Sequence, residues 1–178
     1  DTELDLNDLP ACIVKPTEYD KEKDLENRTL NLQTKRSNTD KMLFYNAGTK
    51  GDLSLLKEGL NKGMSITEEC SALNYYWTCL HYAAFYGHKE IIEYILDYDR
   101  DDPEYLGKMN IQCNKGKTPV MWALSNAASD KKIELLLLFY SKDAIDFNVC
   151  DYDNKNVFDY VEKHTDYLIK FYKLIIGD

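Results

Sequence analysis

No stretch of this sequence approaches the roughly 18 uninterrupted apolar residues that suggest a membrane span, and its N-terminus lacks the basic and apolar regions of a secretory signal. The chain is therefore read as intracellular, cytoplasmic or nuclear, with no direct membrane insertion. A basic excess is missing too. Lys and Arg number 22 against 31 Asp and Glu, a formal net charge of -9. A phosphate backbone demands a basic surface that releases counterions, so nucleic acid is excluded as the expected partner.

The five cysteines, Cys12, Cys70, Cys79, Cys113 and Cys150, include no Cys-x-x-Cys pair. An odd number at irregular spacing suits reduced thiols. The three histidines, His81, His88 and His164, stand at no ligand spacing from them, so no metal site is expected. There is no Gly-rich phosphate loop, no His-Glu-x-x-His and no Gly-x-Ser-x-Gly. Nucleotide, zinc-protease and serine-hydrolase chemistry therefore lack their parts, and neither a catalytic residue nor a cofactor is expected. Asn27-Arg28-Thr29 matches a glycosylation sequon, a pattern short enough to arise by chance in an intracellular chain.

What is present is material for a core. Of 178 residues 44% are hydrophobic and 12% aromatic, with 14 Tyr, which fits one compact domain or one repeat array. Internal repetition decides between the two. In Thr78-Cys79-Leu80-His81-Tyr82-Ala83-Ala84-Phe85-Tyr86-Gly87-His88, Thr78 is a good N-cap. Ala83 and Ala84 are small enough for a neighbouring helix to approach, and Gly87 can end the helix in the left-handed region. Ile91, Ile92, Ile95 and Leu96 then recur at three- and four-residue steps on one face of a second helix.

The same layout returns in Thr118-Pro119-Val120-Met121-Trp122-Ala123-Leu124, followed by the apolar run Ile133 to Phe139, 40 residues further on. A degenerate third copy opens at Asn156, with polar Lys163, His164 and Asp166 before Leu168 to Ile176. Upstream, Met42 to Asp52 with Leu55, Leu56 and Leu60 reads as a capping helix pair closed by Lys62-Gly63-Met64. Before the second and third copies, Asn110 to Lys117 and Asn148 to Lys155 read as tight turns, with Gly116 and Asn154 at the left-handed place.

These residues resemble the ankyrin repeat, whose Thr-Pro-Leu-His-x-Ala signature appears with Cys79 where the family usually has Pro. The resemblance implies an all-α solenoid of stacked antiparallel helix pairs with β-turn fingers too short to count as a sheet. The family's period is about 33 residues. The charged, Pro-containing stretch Asp97 to Gly107 accommodates the excess as an enlarged loop. Expected boundaries are an acidic extension over 1–39, partly extended or loosely helical, and repeats over 40–73, 74–113, 114–151 and 152–178. Leu4, Leu6, Leu9, Ile13 and Val14 are costly to leave in water, so the extension is either a disordered tail or a segment packed on the first repeat.

In this family the variable, partner-facing positions are the finger residues and those following the Ala-Ala pair. Carried over, the second repeat offers Asn74, Tyr75, Trp77, Phe85 and Tyr86, the third Lys115, Lys117, Ser125 and Asn126, and the last Tyr152, Asp153, Lys155, Lys163 and His164. Four of the first five are aromatic. Exposed, they form a binding patch; packed under long loops, Trp77 and Phe85 are core. Lysines beside them suit an acidic, partly apolar peptide, or form a solvated rim. His81 and His88 are expected to satisfy backbone groups of an adjacent finger or turn.

The chain is therefore expected to be a monomeric, non-enzymatic protein-protein interaction module for a protein or peptide partner. The competing expectation is a regulatory or substrate-recruiting ankyrin domain of a larger enzyme, such as a palmitoyltransferase or kinase.

Overall fold

The computed structural model describes residues 38–70, 75–127, 129–161 and 173. The expectations for residues 1–37, for Asn74, for Lys163 and His164, and for the run Leu168 to Ile176 lie outside the described residues. Eight helices follow one another among those described: α1 Asn38–Lys50, α2 Leu53–Asn61, α3 Cys79–Tyr86, α4 Lys89–Tyr98, α5 Tyr105–Met109, α6 Pro119–Asn126, α7 Ser129–Ser141 and α8 Val157–Val161. The only strand-like pairing among these residues is the isolated antiparallel bridge between Glu69 and Thr78.

The helices form two layers. An inner row runs α1, α3, α6, α8, each packed on the next, and an outer row runs α2, α4, α7. Helices α1 and α2, α3 and α4, and α6 and α7 close the layers as hairpins. The outer helices turn Leu56, then Ile91, Ile92, Ile95 and Leu96, then Leu135, Leu136 and Phe139 inward, all essentially without solvent contact. Burying a side chain of this size stabilises by roughly 1.5–3 kcal/mol.

Local sequence sets the ends of these short helices. Thr78 and Thr118 precede α3 and α6 in extended backbone, and Pro119 occupies the first turn, where its missing N–H loses nothing. Gly87 closes α3 at φ 77°, and its N–H returns to the Ala83 carbonyl. At α8, Asn156 Oδ1 accepts from the N–H of Phe158 and Asp159, while Asp159 Oδ2 accepts from the N–H of Asn156. That reciprocal cap explains how a degenerate copy still starts a helix.

The fingers behave as the sequence implies. Gly116 and Asn154 have φ 74° and 62°. Each finger closes with a backbone bond, Cys113 N–H to the Lys117 carbonyl and Asp151 N–H to that of Lys155. Neighbouring fingers are also joined, through Asn114 N–H to the Tyr75 carbonyl and Tyr152 N–H to the Lys115 carbonyl.

The stretch 97–107 corrects the sequence reading in part. Asp97 and Tyr98 complete α4, and Tyr105–Gly107 belong to α5, so the enlarged connection contains a helix. Its anchor is Tyr105, whose buried hydroxyl donates to the carbonyls of Leu96 and Lys142, at 2.9 and 3.2 Å. One side chain thus ties the insertion to the ends of two outer helices. Its sequence signature, Tyr105 and Met109 four residues apart and both buried, is too short for a periodicity argument.

A second correction concerns the thiols. Cys70, Cys79 and Cys113 are free and buried, but Cys150 is in a disulfide, so reduced thiols do not hold throughout.

Candidate protein-binding face

The inner row presents an aromatic layer at the edge of the fingers. Trp77 stands at its centre, its ring 4.8 Å from Tyr82, 5.3 Å from Phe85 and 4.8 Å from Trp122 between centroids. Phe85 completes the cluster against Trp122 at 5.5 Å and Tyr86 at 5.0 Å, and Tyr45 continues it edge-on to Tyr82 at 5.0 Å. Such ring pairs contribute about 0.5–1.5 kcal/mol beyond their buried area.

The two readings of these aromatics resolve into a gradient. Tyr82 is buried, Trp77, Phe85 and Trp122 are half-buried, and Tyr86 is 51% exposed. Trp77 and Phe85 therefore pack locally and also keep surface. Helical geometry explains the arrangement: Tyr82, Phe85 and Tyr86 stand three and four residues apart on one face of α3, as Trp122, Ser125 and Asn126 do on α6.

Trp122 is the residue that the sequence reading missed. It occupies the position before the alanine, equivalent to Tyr82 in α3 and Tyr160 in α8. The three- and four-residue spacing on α3, extended one place backward, is the signal that would have found it.

Lysines border the rings. The Lys117 ammonium lies 4.4 Å from the Trp122 centroid and 4.9 Å from that of Tyr160, and Lys115 lies 5.8 Å from Trp122. Lys117 also reaches Ser125 Oγ at 3.4 Å, while the Ser125 hydroxyl donates to the Met121 carbonyl at 2.7 Å. Burial holds the Lys117 ammonium below its usual pKa, and Lys115 adds to this while Asp151 opposes it. Asn126 closes the patch by donating to the Phe85 carbonyl at 3.3 Å.

Tyr75 is exposed beside the neighbouring finger. Tyr152, Asp153 and Lys155 are exposed on the last finger, where the Tyr152 N–H donates to the Lys115 carbonyl. The N–H groups of Asp153 and Lys155 both donate to Asp151 Oδ1, and the Tyr160 hydroxyl donates to Asp151 Oδ2. Burial and that carboxylate push the Tyr160 phenol well above its usual range.

The histidines stitch the layers together. His81 Nδ1 accepts from the Thr78 N–H at 3.1 Å, which leaves its Nε2–H to donate to the Lys117 carbonyl of the next finger at 3.3 Å. His88 Nε2 lies 3.0 Å from the Thr49 carbonyl of the first helix pair. Each ring bridges adjacent copies of the repeat, as expected from the sequence.

This architecture defines a helical repeat scaffold: a stack of short helix pairs, joined by fingers and carrying a partly exposed aromatic and basic strip on its inner face. The family model described as Ankyrin repeats (3 copies) matches residues 43–151, and the chain belongs to the ankyrin-repeat family. No curated protein matches it. Ankyrin repeats are in general protein-protein interaction modules, and among the described residues no helix is long and apolar enough to cross a membrane.

Proposed function

We propose that this chain binds a protein or peptide partner on the face made by α3, α6 and the fingers beside them. One observation carries the reading. A contiguous layer of Trp77, Phe85, Tyr86 and Trp122 packs ring against ring and remains open at Tyr86, which is half exposed. Preorganised aromatic anchors beside cations are the composition of binding hot spots, because they offer large contact area and lose little side-chain freedom on association. The chain acts in this reading as a scaffold and not as an enzyme.

The test is site-specific photocrosslinking in extract from the source cells. A crosslinking residue replaces Tyr86 on the proposed face or Tyr98 on outer helix α4, also exposed. The expected result is a discrete partner adduct at position 86, abolished by competition with unlabelled chain and absent from position 98. Discrete adducts at position 98 alone would move the binding surface to the outer helices.

A further inference from the structure

The cations of this acidic chain do not all have the same surroundings. Lys62 pairs with Asp40 and Glu58, Lys89 with Glu134, Lys108 with Asp99 and Asp102, and Lys142 with Asp97. Lys115 and Lys117 instead place their ammonium groups over the Trp122 ring, and among the described residues neither forms an ion pair with a carboxylate. Asp151, the acid that acts most strongly on Lys117, is not free to move toward it. Asp151 is buried, with one oxygen bound by two backbone N–H groups and the other by the Tyr160 hydroxyl.

Two like charges therefore converge on one indole, in a molecule of net charge -9. Lys117 is already partly stripped of water by Trp122 and Tyr160. An anion placed beside the Lys117 ammonium opposes the repulsion it feels from Lys115 and restores what Lys117 has lost in solvation. Phe85 packs on Trp122 and Tyr86 on Phe85, both with ring surface still uncovered, so an anion delivered over Trp122 can bring its neighbouring group toward this aromatic surface.

We propose that Lys115 and Lys117 form a carboxylate-binding subsite over Trp122, and that the partner is a peptide segment with an Asp or Glu beside an apolar side chain that packs on Phe85 and Tyr86. This rests on the face-binding reading above and adds the chemistry of the ligand. Asp153, exposed on the next finger and close enough to act on Lys117, disfavours a second acid on that side. The segment therefore carries its acid at one end of the contact and its apolar group toward α3.

The probe is a random dodecapeptide display library panned at low salt against the full chain, followed by synthesis of one selected peptide. The subsite predicts peptides in which Asp or Glu adjoins Leu, Phe or Trp. Converting that acid to its amide should weaken Kd about tenfold on the unaltered chain, and raising salt should weaken the acid form alone. The Lys115→Gln, Lys117→Gln double variant should bind acid and amide forms equally. Peptides lost with Tyr86→Ala but indifferent to amidation would remove the carboxylate subsite and leave the face-binding reading standing. Peptides indifferent to both Tyr86→Ala and the lysine variant would remove both, and a library yielding no binder counts against the subsite.

Discussion

A single buried oxygen exposes the difference between the two well-formed copies. Thr78 Oγ1 lies 3.0 Å from His81 Nδ1, whereas at the equivalent place in α6 the third helical residue is Met121. Thr118 Oγ1 faces the Met121 N–H at the start of α6, but among the described residues it is the only buried side-chain N or O atom with no hydrogen bond of normal geometry. The Thr118 N–H finds only the Met121 sulfur, at 3.5 Å. An unsatisfied buried hydroxyl costs roughly 1–3 kcal/mol. Met121→His restores the arrangement of α3, with Nδ1 toward Thr118 and Nε2–H toward the Lys155 carbonyl, the counterpart of that of Lys117. Met and His differ little in volume, so packing loss is small. The expected outcome is a gain of about 1 kcal/mol, read as a higher urea midpoint at unchanged slope. The letters of the signature were legible at this scale, as were the left-handed Gly116 and Asn154, because each depends on its own few neighbours. The stranded Thr118 oxygen was not, because it depends on what fails to reach it.

Between elements, distance of approach governs. Helix α1 lies so close to α3 that a Cβ on Gly48 would stand 2.7 Å from both the Cys79 carbonyl oxygen and Tyr82 Cβ. Gly48→Ala therefore sets two effects against each other. Alanine gains about 1 kcal/mol of helix propensity, but a clash with backbone forces the helices apart, and overpacking of this kind costs about 1–3 kcal/mol. The clash wins because a carbonyl cannot rotate away as a flexible side chain can. We expect a net loss of about 1–2 kcal/mol in chemical denaturation, and an increase in the fluorescence of Trp77 as its packing against Tyr82 loosens. Helices α3, α4 and α6 were legible because their caps and apolar spacing are local. Helix α5 was not, since its fixing bond joins Tyr105 to Lys142, 37 residues away. The aromatic site was half legible for the same reason: Trp77, Phe85 and Tyr86 stood out in one copy, while Trp122 joins them only when the copies stack.

For the molecule as a whole, the buried ionisable groups point one way in pH. Burial pushes the Cys79 thiol from 9.0 up to about 12, and burial likewise raises Cys70 and the Tyr105 phenol. Burial and the Asp151 carboxylate raise Tyr160. Each group is held neutral in the fold and ionises more readily when unfolded. The unfolded chain thus releases protons first as pH rises, and stability falls with pH. This contribution is fully present below about pH 9 and is lost progressively as pH rises toward the folded values. Cys79 alone accounts for about 2 kcal/mol at pH 10.5, where an exposed thiol is almost wholly ionised and the buried one is not. Because the four groups are spread over three copies, with Cys70 in the first, Cys79 and Tyr105 in the second and Tyr160 in the last, the loss tests whether the stack unfolds as one unit. In a cooperative array every group weakens the same transition, and urea curves at pH 8 and pH 10.5 should differ by a single displaced midpoint. Cys79→Ala should recover its own share of that displacement at pH 10.5 relative to pH 8. A transition that splits at alkaline pH, with tryptophan fluorescence lost before helical ellipticity, would show instead that the two copies joined by Trp77 and Trp122 open independently of the rest of the stack.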